Sequence, residues 1–382
     1  MIRPLEGITV VSLEQAVAAP FAARQLADLG ARVIKIERPE SGDFARHYDQ
    51  TVNGMSSHFT WLNRSKESVE MDLKGEDSKE LLLNMLEKAD VFLYNLAPGA
   101  VDRLGFSPDT LKEKFPRLIT CSITGYGENG SYRNKKAYDL LIQCEAGAVS
   151  VTGTEETPSK AGISIADIAA GMYAYSGIMA AVIARSVSGK GTHLDISMLE
   201  ALGEWMGYPL YYAGYGGSEP KRTGASHATI YPYGPFTTGE GKQVFLGIQN
   251  DREWKAFCSR VIGKPELAEE ELFSTNALRV KNQEELALVI ASVFEKMTAE
   301  ELTEKLDEMK IANAKLNTMK DFMEHPQLKE RNRWTTIDSP AGDIQTLLPP
   351  ITAPGFKITM GDIPELGEHN EKIRKEFGTR KK

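Results

Sequence analysis

GITVVSLEQAVAAPFAARQLADLGARVIKIE, residues 7–37, shows which fold class this chain adopts. Its two ends, GITVVSL (7–13) and ARVIKIE (31–37), are short apolar runs rich in Val and Ile, which is typical of buried strands. Between them, residues 20–29 predict a helix that leads to Gly30. A strand, a helix and a second strand at this spacing indicate one βαβ unit of a parallel sheet.

The same alternation continues through the first half of the chain. Further helices are predicted over 78–89, 108–115 and 168–184, and further strands over 90–96, 117–125 and 191–197. This pattern predicts an α/β fold in which residues 1–200 form a large, doubly wound domain with a mostly parallel sheet. Ligands of such sheets bind beyond the carboxyl ends of the strands. The candidate site segments are therefore the turns at 14–18, 38–46, 95–103 and 125–138.

The second half of the chain has a different character. The Gly- and Tyr-rich stretch YYAGYGGSEPKRTGAS predicts a linker over 201–228. Hairpin-like strands and polar helices over 229–323 indicate a second, smaller α/β domain. Residues 324–382 are expected to form a further linker and a C-terminal segment that closes with a charged helix.

Composition excludes several classes of function. The 382 residues suit two domains, and 41% hydrophobic with 26% charged residues is typical of a soluble globular protein. A net charge of −8 with interspersed signs argues against a nucleic-acid partner. We expect a cytoplasmic protein with no membrane partner, because the N-terminus lacks the apolar core of a signal peptide and Gly, Ser and Tyr dilute the most apolar stretch, 161–184. Cys121, Cys144 and Cys258 lack metal or redox spacing, so no metal is expected.

The common catalytic and nucleotide-binding motifs are missing from the sequence. There is no Walker-type loop, GxSxG elbow, HExxH or paired CxxC. The turn SLEQAVAAP (12–20) has no glycine where a dehydrogenase brings its backbone close to a pyrophosphate. The predicted sheet edge instead carries the dispersed cations Arg38, Lys74, Arg103, Lys135 and Lys136. Singly each is typical of a solvated surface, whereas together they could bind phosphates.

One carboxylate stands out in AGISIADIAAGMYAYSGIMAAVIA, residues 161–184, because Asp167 is its only charged residue. Asp is a favoured helix N-cap, so one interpretation is that Asp167 caps a buried, apolar helix that begins at Ile168. The alternative is a chemical role at the mouth of a buried segment.

A resemblance decides between these interpretations. The segments at 4–43, NRSKESVEMDLK (63–74), NLAPGAVDRLGF (95–106), GYGENGSYRNKKAYD (125–139) and DIAAGMYA (167–174) resemble the family III CoA-transferases, typified by formyl-CoA transferase. LNTMKDFMEHPQLKERN (316–332) and PELGEHN (364–370) extend the resemblance over nearly the whole chain. It implies that the C-terminal segment returns to the large domain and that two chains form an interlocked homodimer.

The resemblance also implies the chemistry. Asp167 would attack an acyl-CoA thioester to give a mixed anhydride, and the released thiolate would then give an aspartyl-CoA thioester that passes CoA to a carboxylic acid. A helix N-terminus would stabilise the carboxylate and offer amides to developing oxyanions. CoA would be the carried group, and no permanently bound cofactor is implied. The positions that match the CoA-binding segments of the family are Gln15, Ala16, Val17, Ala18, Arg38, Met71, Asp72, Leu73, Lys74, Asn95, Leu96, Arg103, Lys136, Ala137, Tyr138 and Asp139.

Two departures bear on the substrate. Val17 stands where formyl-CoA transferase has a glutamine beside the reacting acyl group, and TGASHATIYPYGPF (223–236) lacks the glycine run of that enzyme's flap. Both argue against a formyl or oxalyl substrate. The segments at 199–214 and 224–236 instead resemble the branch that acts on C4 and C5 dicarboxylates such as succinate, itaconate, mesaconate and citramalate. The candidate acceptor-binding residues are Glu204, Arg222, His227, Tyr231 and Tyr233, each of which also has an ordinary structural interpretation.

Two other functions stay open at this point. An α-methylacyl-CoA racemase shares the scaffold but needs two bases, one usually a histidine, and this chain has KKAYDLLIQ (135–143) where that histidine would lie. A non-catalytic acyl-CoA binding protein would keep the pocket without turnover, although the intact DIAAG context of Asp167 argues against it.

Overall fold

The computed structural model describes residues 1–378, whose contacts form two compact units. Of the described residues, the first unit comprises 1–148, 161–210 and 330–378. The second comprises 149–160 and 211–329. Because the chain from Glu330 belongs to the first unit, the predicted return of the C-terminal segment to the large domain is confirmed.

A six-stranded parallel sheet forms the centre of the first unit, with the strand order β3-β2-β1-β4-β5-β6. Its strands are β1 (Thr9–Leu13), β2 (Arg32–Glu37), β3 (Lys66–Glu70), β4 (Val91–Tyr94), β5 (Ile119–Thr124) and β6 (His193–Ser197). The predicted α/β, doubly wound parallel sheet is confirmed. The strand order reverses between β1 and β4, and in open α/β sheets ligands bind at such a switch point.

Helices cover both faces of this sheet. The helices up to Gly216 are α1 (Ala18–Asp28), α2 (Ser57–Leu62), α3 (Glu76–Lys88), α4 (Ala100–Arg103), α5 (Pro108–Lys114), α6 (Asp139–Glu145), α7 (Ala148–Val151), α8 (Ile165–Ser188), α9 (Met198–Trp205) and α10 (Gly207–Gly216), of which α7 and α10 extend into the second unit. A 3₁₀ turn lies at Phe44–His47. Successive strand residues point to opposite faces, so Val10 packs in the cluster with α1 and α8 whereas Val11 packs in the cluster with α3.

The second unit has a three-stranded antiparallel sheet, in the order β7-β8-β9. Its elements are β7 (Tyr233–Thr237), β8 (Gln243–Gly247), α11 (Asp251–Ala256), α12 (Asn276–Lys281), α13 (Gln283–Phe294), α14 (Ala299–Glu308), β9 (Ala312–Lys315), α15 (Met319–Met323) and α16 (Pro326–Glu330), with a π-turn at Phe257–Ile262 and a 3₁₀ turn at Pro265–Ala268. The chain ends with the hairpin β10 (Trp334–Ile337) and β11 (Ile344–Leu347) and with α17 (Asn370–Phe377).

The linker predicted over 201–228 is wrong in its first half, because α9 and α10 occupy residues up to Gly216. The Gly- and Tyr-rich stretch that predicted the linker begins inside α10, because Gly214 and Gly216 lower the stability of a helix without preventing it. Residues 149–160 also belong to the second unit rather than to the predicted 1–200 domain. The linker predicted from 324 contains the hairpin of β10 and β11.

Helix α8 is long and apolar enough to cross a membrane by length and composition alone. Core helices meet the same criteria. Its small residues Ala169, Ala170 and Ala174 are fully buried in one cluster with Ala19 and Ala22 of α1. Helix α8 is therefore a core helix of the first unit.

Candidate active site

The turn after β1 is held by hydrogen bonds at two successive residues. The Gln15 N–H donates to Asn95 Oδ1 at 2.9 Å, and Asn95 Nδ2 donates to the Gln15 carbonyl at 2.9 Å. The next residue, Ala16, has a φ of +62°, which is uncommon for any residue with a Cβ. Its N–H donates to Asp43 Oδ1 at 3.0 Å. The turn at the switch point of the sheet is thus fixed from two sides.

A buried network of charges lies beneath this turn. Lys35 Nζ donates to Asp43 Oδ2 at 2.7 Å and to Glu14 Oε1 at 3.2 Å, and all three side chains are inaccessible to solvent. Lys66 also pairs with Glu14 and donates to Asn63 Oδ1 at 3.1 Å. Burial lowers the pKa of Lys66 to about 8, opposed by the attraction of Glu14. The network holds Asp43 where it accepts the Ala16 amide.

Helices α1 and α8 pack against each other unusually closely at Gly171. A Cβ added at Gly171 would lie 2.7 Å from the Ala18 carbonyl oxygen and 3.0 Å from a ring carbon of Phe21. Only glycine allows this approach. As a result Val17, at the start of α1, packs in one apolar cluster with Ile168, in the first turns of α8. The N-termini of the two helices therefore lie side by side.

Asp167 is the third residue of α8 and does not cap it. The helix begins at Ile165, and the carboxylate of Asp139 supplies the cap, its Oδ1 accepting the N–H groups of Ala166 at 2.8 Å and Asp167 at 3.3 Å. The capping interpretation of Asp167, with a helix from Ile168, is wrong. A carboxylate contributed by another helix satisfies the amides that a local cap would otherwise bind.

The Asp167 carboxyl is left free for chemistry. Within residues 1–378 no group donates a hydrogen bond to it, and the residue is half-buried. Burial, followed by the negative charge of Asp139, raises its pKa to about 7. Asp139 is itself fixed, because Gln143 Nε2 donates to its Oδ2 at 2.7 Å while Gln143 Oε1 accepts the Ala161 amide at 2.9 Å. A carboxylate with a pKa near neutrality is a better nucleophile than an exposed aspartate.

Tyr48 is a residue near this carboxyl that the sequence analysis did not single out. Burial raises the pKa of Tyr48 to about 12, and the charges of Asp43 and Asp167 contribute to that rise. Its ring packs on Phe44 at 5.7 Å and edge-on to His58 at 5.2 Å between centroids. The available signal was its place two residues beyond the 38–46 turn, one of the segments that follow a strand.

A cavity of about 690 Å³ lies at the carboxyl ends of β1, β2 and β4. Eight of the predicted CoA-binding residues line it, namely Gln15, Arg38, Met71, Asp72, Leu73, Lys74, Leu96 and Arg103. Three of these are cations, which suits a ligand with several phosphates. Glu14, Glu37 and Asp43 also line the cavity; Glu14 and Asp43 pair with the buried Lys35, and Glu37 pairs with the half-buried Arg46.

The remaining predicted CoA-binding residues lie outside the lining of this cavity. Ala16, Val17, Ala18 and Asn95 form the turn and the start of α1, as described above. Ala137 contacts the backbone at Gly125 so closely that a Cβ at Gly125 would meet it at 2.2 Å. Lys136 is exposed, and Tyr138 is 68% exposed immediately before α6. Lys135 pairs with Glu145 and lies over the ring of Tyr132.

The predicted acceptor-binding residues are distributed over both units. Glu204 is exposed on α9 of the first unit. Arg222, in the second, donates to the carbonyls of Ser150, Thr154 and Glu155, so its guanidinium holds the 149–160 segment in place. These bonds favour the structural interpretation of Arg222.

His227 and Tyr231 lie in the loop of the second unit that precedes β7, and Tyr233 is the first residue of that strand. The His227 ring stacks on Tyr233 at 5.1 Å between centroids, and its Nδ1 accepts the Thr229 amide at 3.2 Å. Burial raises the pKa of Tyr231 to about 12, and its carbonyl accepts a bond from the buried Arg279 at 3.1 Å. Of the three, the exposed His227 keeps Nε2 available to a ligand.

Comparison with known proteins identifies the family. A family model described as CoA-transferase family III matches residues 5–370. The chain is 32% identical to succinyl-CoA:glutarate CoA-transferase of Homo sapiens, covering 98% of this chain and 86% of that protein. It is 32% identical to acetyl-CoA:oxalate CoA-transferase of Acetobacter aceti (98% and 96%) and 30% identical to succinyl-CoA:mesaconate CoA-transferase of Haloarcula hispanica (98% and 96%).

Solved structures agree with this match. The crystal structure of a CAIB/BAIF family protein from Brucella suis superposes with a TM-score of 0.85 at 32% identity, covering 98% of this chain and 99% of that one. The six-stranded parallel sheet described above is thus embedded in a fold shared over the full length. The resemblance seen in the sequence is confirmed, and the protein is an enzyme that belongs to the family III CoA-transferases.

Proposed function

We propose that this CoA-transferase moves CoA from a dicarboxylyl thioester such as succinyl-CoA to a small carboxylic acid of the itaconate, mesaconate or citramalate type, with Asp167 as nucleophile. The names of the human and haloarchaeal relatives support a succinyl-CoA donor. The observation that carries the role of Asp167 is its half-buried carboxyl in the first turn of α8, to which nothing in the described part of the chain donates a hydrogen bond.

The proposed exchange has four balanced steps. An oxygen of Asp167 attacks the thioester carbonyl, the C–S bond breaks, and a mixed anhydride forms with release of the CoA thiolate. The thiolate then attacks the Asp167 carbonyl carbon and expels the donor acid as its carboxylate, which leaves an aspartyl-CoA thioester. The acceptor carboxylate attacks the carbonyl carbon of this thioester, the C–S bond breaks, and the CoA thiolate leaves as a second anhydride forms. Finally the thiolate attacks the acceptor carbonyl and regenerates the Asp167 carboxylate.

Backbone amides at the start of α1 are our candidates for the oxyanion donors. The N–H groups of Val17, Ala18 and Ala19 donate to no partner within residues 1–378. The apolar contact of Val17 with Ile168 brings this helix end beside the first turn of α8. Each tetrahedral intermediate carries a negative oxygen, and helix N-terminal amides stabilise such charge. Valine stands at position 17, where formyl-CoA transferase has a glutamine. With backbone amides as the oxyanion donors, no polar side chain is needed at this position.

The cavity beside the turn is our candidate for the phosphate-bearing part of CoA. Arg38, Lys74 and Arg103 line it, and their charges complement phosphate groups. CoA is a carried group in this scheme, and the chemistry requires no permanently bound cofactor.

An interlocked homodimer in the cytoplasm is the assembly that we propose. Helix α10 supports it, because none of its residues is buried although most are apolar. Leu210, Tyr211 and Tyr215 are 63%, 66% and 87% exposed. Large apolar surfaces of this kind are typical of protein interfaces, and a second copy of the chain would cover this one. Light scattering on the purified protein measures the mass of the assembly directly.

Mass spectrometry of the protein after brief mixing with succinyl-CoA tests the mechanism. We expect a mass increase equal to CoA minus one water on the Asp167 peptide, which hydroxylamine or an acceptor acid removes. Asp167→Asn should show no adduct, whereas Glu113→Gln, an exposed carboxylate on α5, should behave as wild type. An adduct that survives Asp167→Asn would contradict the assignment of the nucleophile. Deuterium uptake at the α-carbon of a branched acyl-CoA, without any adduct, would favour the racemase.

A panel of acceptors tests the substrate class. We expect mesaconate, itaconate or citramalate to remove CoA from the adduct faster than oxalate or formate. The opposite order would contradict the proposal of a C4 or C5 dicarboxylate and agree with the oxalate-named relative from Acetobacter aceti. His227→Ala should raise the KM for the acceptor without changing the yield of adduct.

A further inference from the structure

One wall of the cavity is a loop, residues 38–43, whose backbone is strained. Arg38, Pro39, Ser41 and Gly42 line the cavity, so this loop carries one of the three cations there. Between them, Glu40 has a φ of +64°, in the left-handed region that residues with a Cβ rarely adopt. A loop in this conformation persists only when neighbouring groups hold it.

Glu70, the last residue of β3, holds the strained residue of this loop. Its Oε1 accepts the Glu40 N–H at 2.8 Å. Its Oε2 accepts Asn370 Nδ2 at 3.1 Å, and its own N–H donates to Asn370 Oδ1 at 2.8 Å. Both ends of the Asn370 amide thus bind Glu70. The C-terminal segment is connected in this way to the Glu40 amide through one carboxylate.

Gly367 leaves the space in which the Glu70 carboxylate and the Asn370 amide meet. A Cβ at this position would lie 2.4 Å from Glu70 Oε2 and 2.6 Å from Asn370 Nδ2, and its φ is +70°. Any other residue would push the carboxylate away from Asn370.

A second connection runs parallel to the first. The Gly367 N–H donates to Ser68 Oγ at 3.0 Å, and Ser68 Oγ donates to Glu37 Oε1 at 2.6 Å. Glu37 Oε2 in turn accepts the Asp43 N–H at 2.9 Å, at the far end of the loop. The 38–43 loop is therefore fixed at Glu40 and at Asp43 by bonds that both lead to residues 367–370.

We propose that Asn370, acting through Glu70, is a positioning residue for acyl-CoA binding: it holds the Arg38-bearing loop in the shape that receives the phosphates. The inference rests on the proposed function, which assigns CoA to this cavity. It adds that the C-terminal segment, 300 residues from Glu70 along the chain, controls affinity for the thioester. Asn370 touches no reacting atom, so its loss should weaken binding without slowing the chemistry at Asp167.

Asn370→Asp is the decisive variant. The new carboxylate keeps an acceptor for the Glu70 N–H but faces Glu70 Oε2 with a like charge, which removes the bond that orients Glu70. We expect the KM for succinyl-CoA and the Kd for CoA to rise about 5–10-fold, with kcat changed less than about twofold. The double variant Asn370→Asp with Glu70→Gln restores a carboxylate–amide pair with the roles exchanged, and it should recover most of the affinity.

Two control variants separate this role from alternatives. Glu376→Gln breaks the ion pair of α17 with Arg32, which measures 2.7 Å, and leaves Asn370 intact. Arg38→Ala removes the cation itself. All variants are made in the full-length chain, and binding of CoA alone is measured by titration calorimetry beside the steady-state kinetics.

The proposal is supported if Asn370→Asp weakens CoA binding, the double variant restores it, and Glu376→Gln leaves it unchanged. Wild-type affinity in Asn370→Asp, with weak binding in Arg38→Ala, would overturn the inference and leave the proposed function intact. Equal losses in Asn370→Asp and Glu376→Gln would overturn it in favour of general attachment of the C-terminus. Wild-type affinity in Arg38→Ala would mean that CoA does not bind in this cavity. The placement of CoA there and the positioning role of Asn370 would then both be wrong. If Asn370→Asp does not fold, Glu70→Gln alone is expected to raise the Kd about threefold, and an unchanged Kd would overturn the inference.

Discussion

Replacing Asp167 by Asn should abolish CoA exchange and at the same time stabilise the protein at alkaline pH. The pKa of this carboxyl is raised from an ordinary value of 3.8 to about 7, by burial and then by the charge of Asp139. Between these two values the native state holds the proton more tightly than the unfolded state does. Stability contributed by this group is therefore lost as the pH rises from about 4 to about 7. The uncharged amide of Asn does not titrate, so the variant does not lose this stability as the pH rises.

The magnitude follows from the same pKa. A tenfold difference in ionisation corresponds to about 1.4 kcal/mol, so the full difference sets an upper limit of about 4 kcal/mol above pH 7. Asp167 is only half-buried, and solvent screening reduces the expected gain to about 2 kcal/mol. For a domain of about 150–250 residues this raises the Tm by about 4–8 °C.

Thermal unfolding of wild type and Asp167→Asn at pH 8, 6 and 4 measures the effect. We expect the largest difference in Tm at pH 8 and almost none at pH 4. Glu113→Gln removes one exposed carboxylate from α5 and should leave the Tm unchanged at all three values. The argument that burial disfavours the ionised form of Asp167 would be refuted by either of two results. One is an Asp167→Asn variant with no higher Tm than wild type at pH 8, and the other is a gain in Tm that is as large at pH 4 as at pH 8.

Three further predictions concern the same region. The rate of adduct formation on Asp167 should fall about tenfold for each pH unit below 7, because only the carboxylate attacks and its pKa is about 7. Quenched mixing with succinyl-CoA measures this rate, and a flat profile between pH 5 and 7 would contradict the prediction. Lys66→Met should lower the free energy of unfolding by about 3–5 kcal/mol in urea, because it leaves Glu14 buried with one cation fewer, and Glu14→Gln in the same chain should recover part of the loss. Gly171→Ala should destabilise the protein by about 1–3 kcal/mol and slow adduct formation, because the new methyl group would lie 2.7 Å from the Ala18 carbonyl oxygen. Wild-type stability and a wild-type rate of adduct formation would mean that α1 and α8 can move apart without consequence.

The site combines a reactive group with a rigid frame. The proposed nucleophile, Asp167, has a carboxyl that no group among residues 1–378 stabilises by a hydrogen bond, whereas the residues around it are heavily constrained. Gln15 and Ala16 are each bound through side chains from other strands and loops, and Asp139 is held by Gln143. The raised pKa of Asp167 marks a carboxylate in an unfavourable environment, and closely held neighbours around such a group are common at functional sites.

Much of the fold could be predicted because its signals are local. An apolar run of five or six residues forms a buried strand wherever it lies, and a strand–helix–strand spacing permits few arrangements other than a parallel sheet. Asp167 could be singled out for the same reason, since a lone charge in an apolar stretch is visible without knowledge of the fold. The linker prediction over α10 was wrong for a related reason, because Gly214 and Gly216 carry the same local signal in a helix as in a loop.

The sequence by itself determined the strand pattern, the doubly wound sheet and the identity of the candidate nucleophile. Only the tertiary structure decided how that nucleophile is supported. Asp139 caps α8 from 28 residues away, so Asp167 is free of the role that local propensity assigned to it. Asn370 reaches Glu70 across 300 residues. The physical reason is that helix and strand formation depends on neighbours within a turn or two, whereas a hydrogen-bond partner from another element is set by how the elements pack.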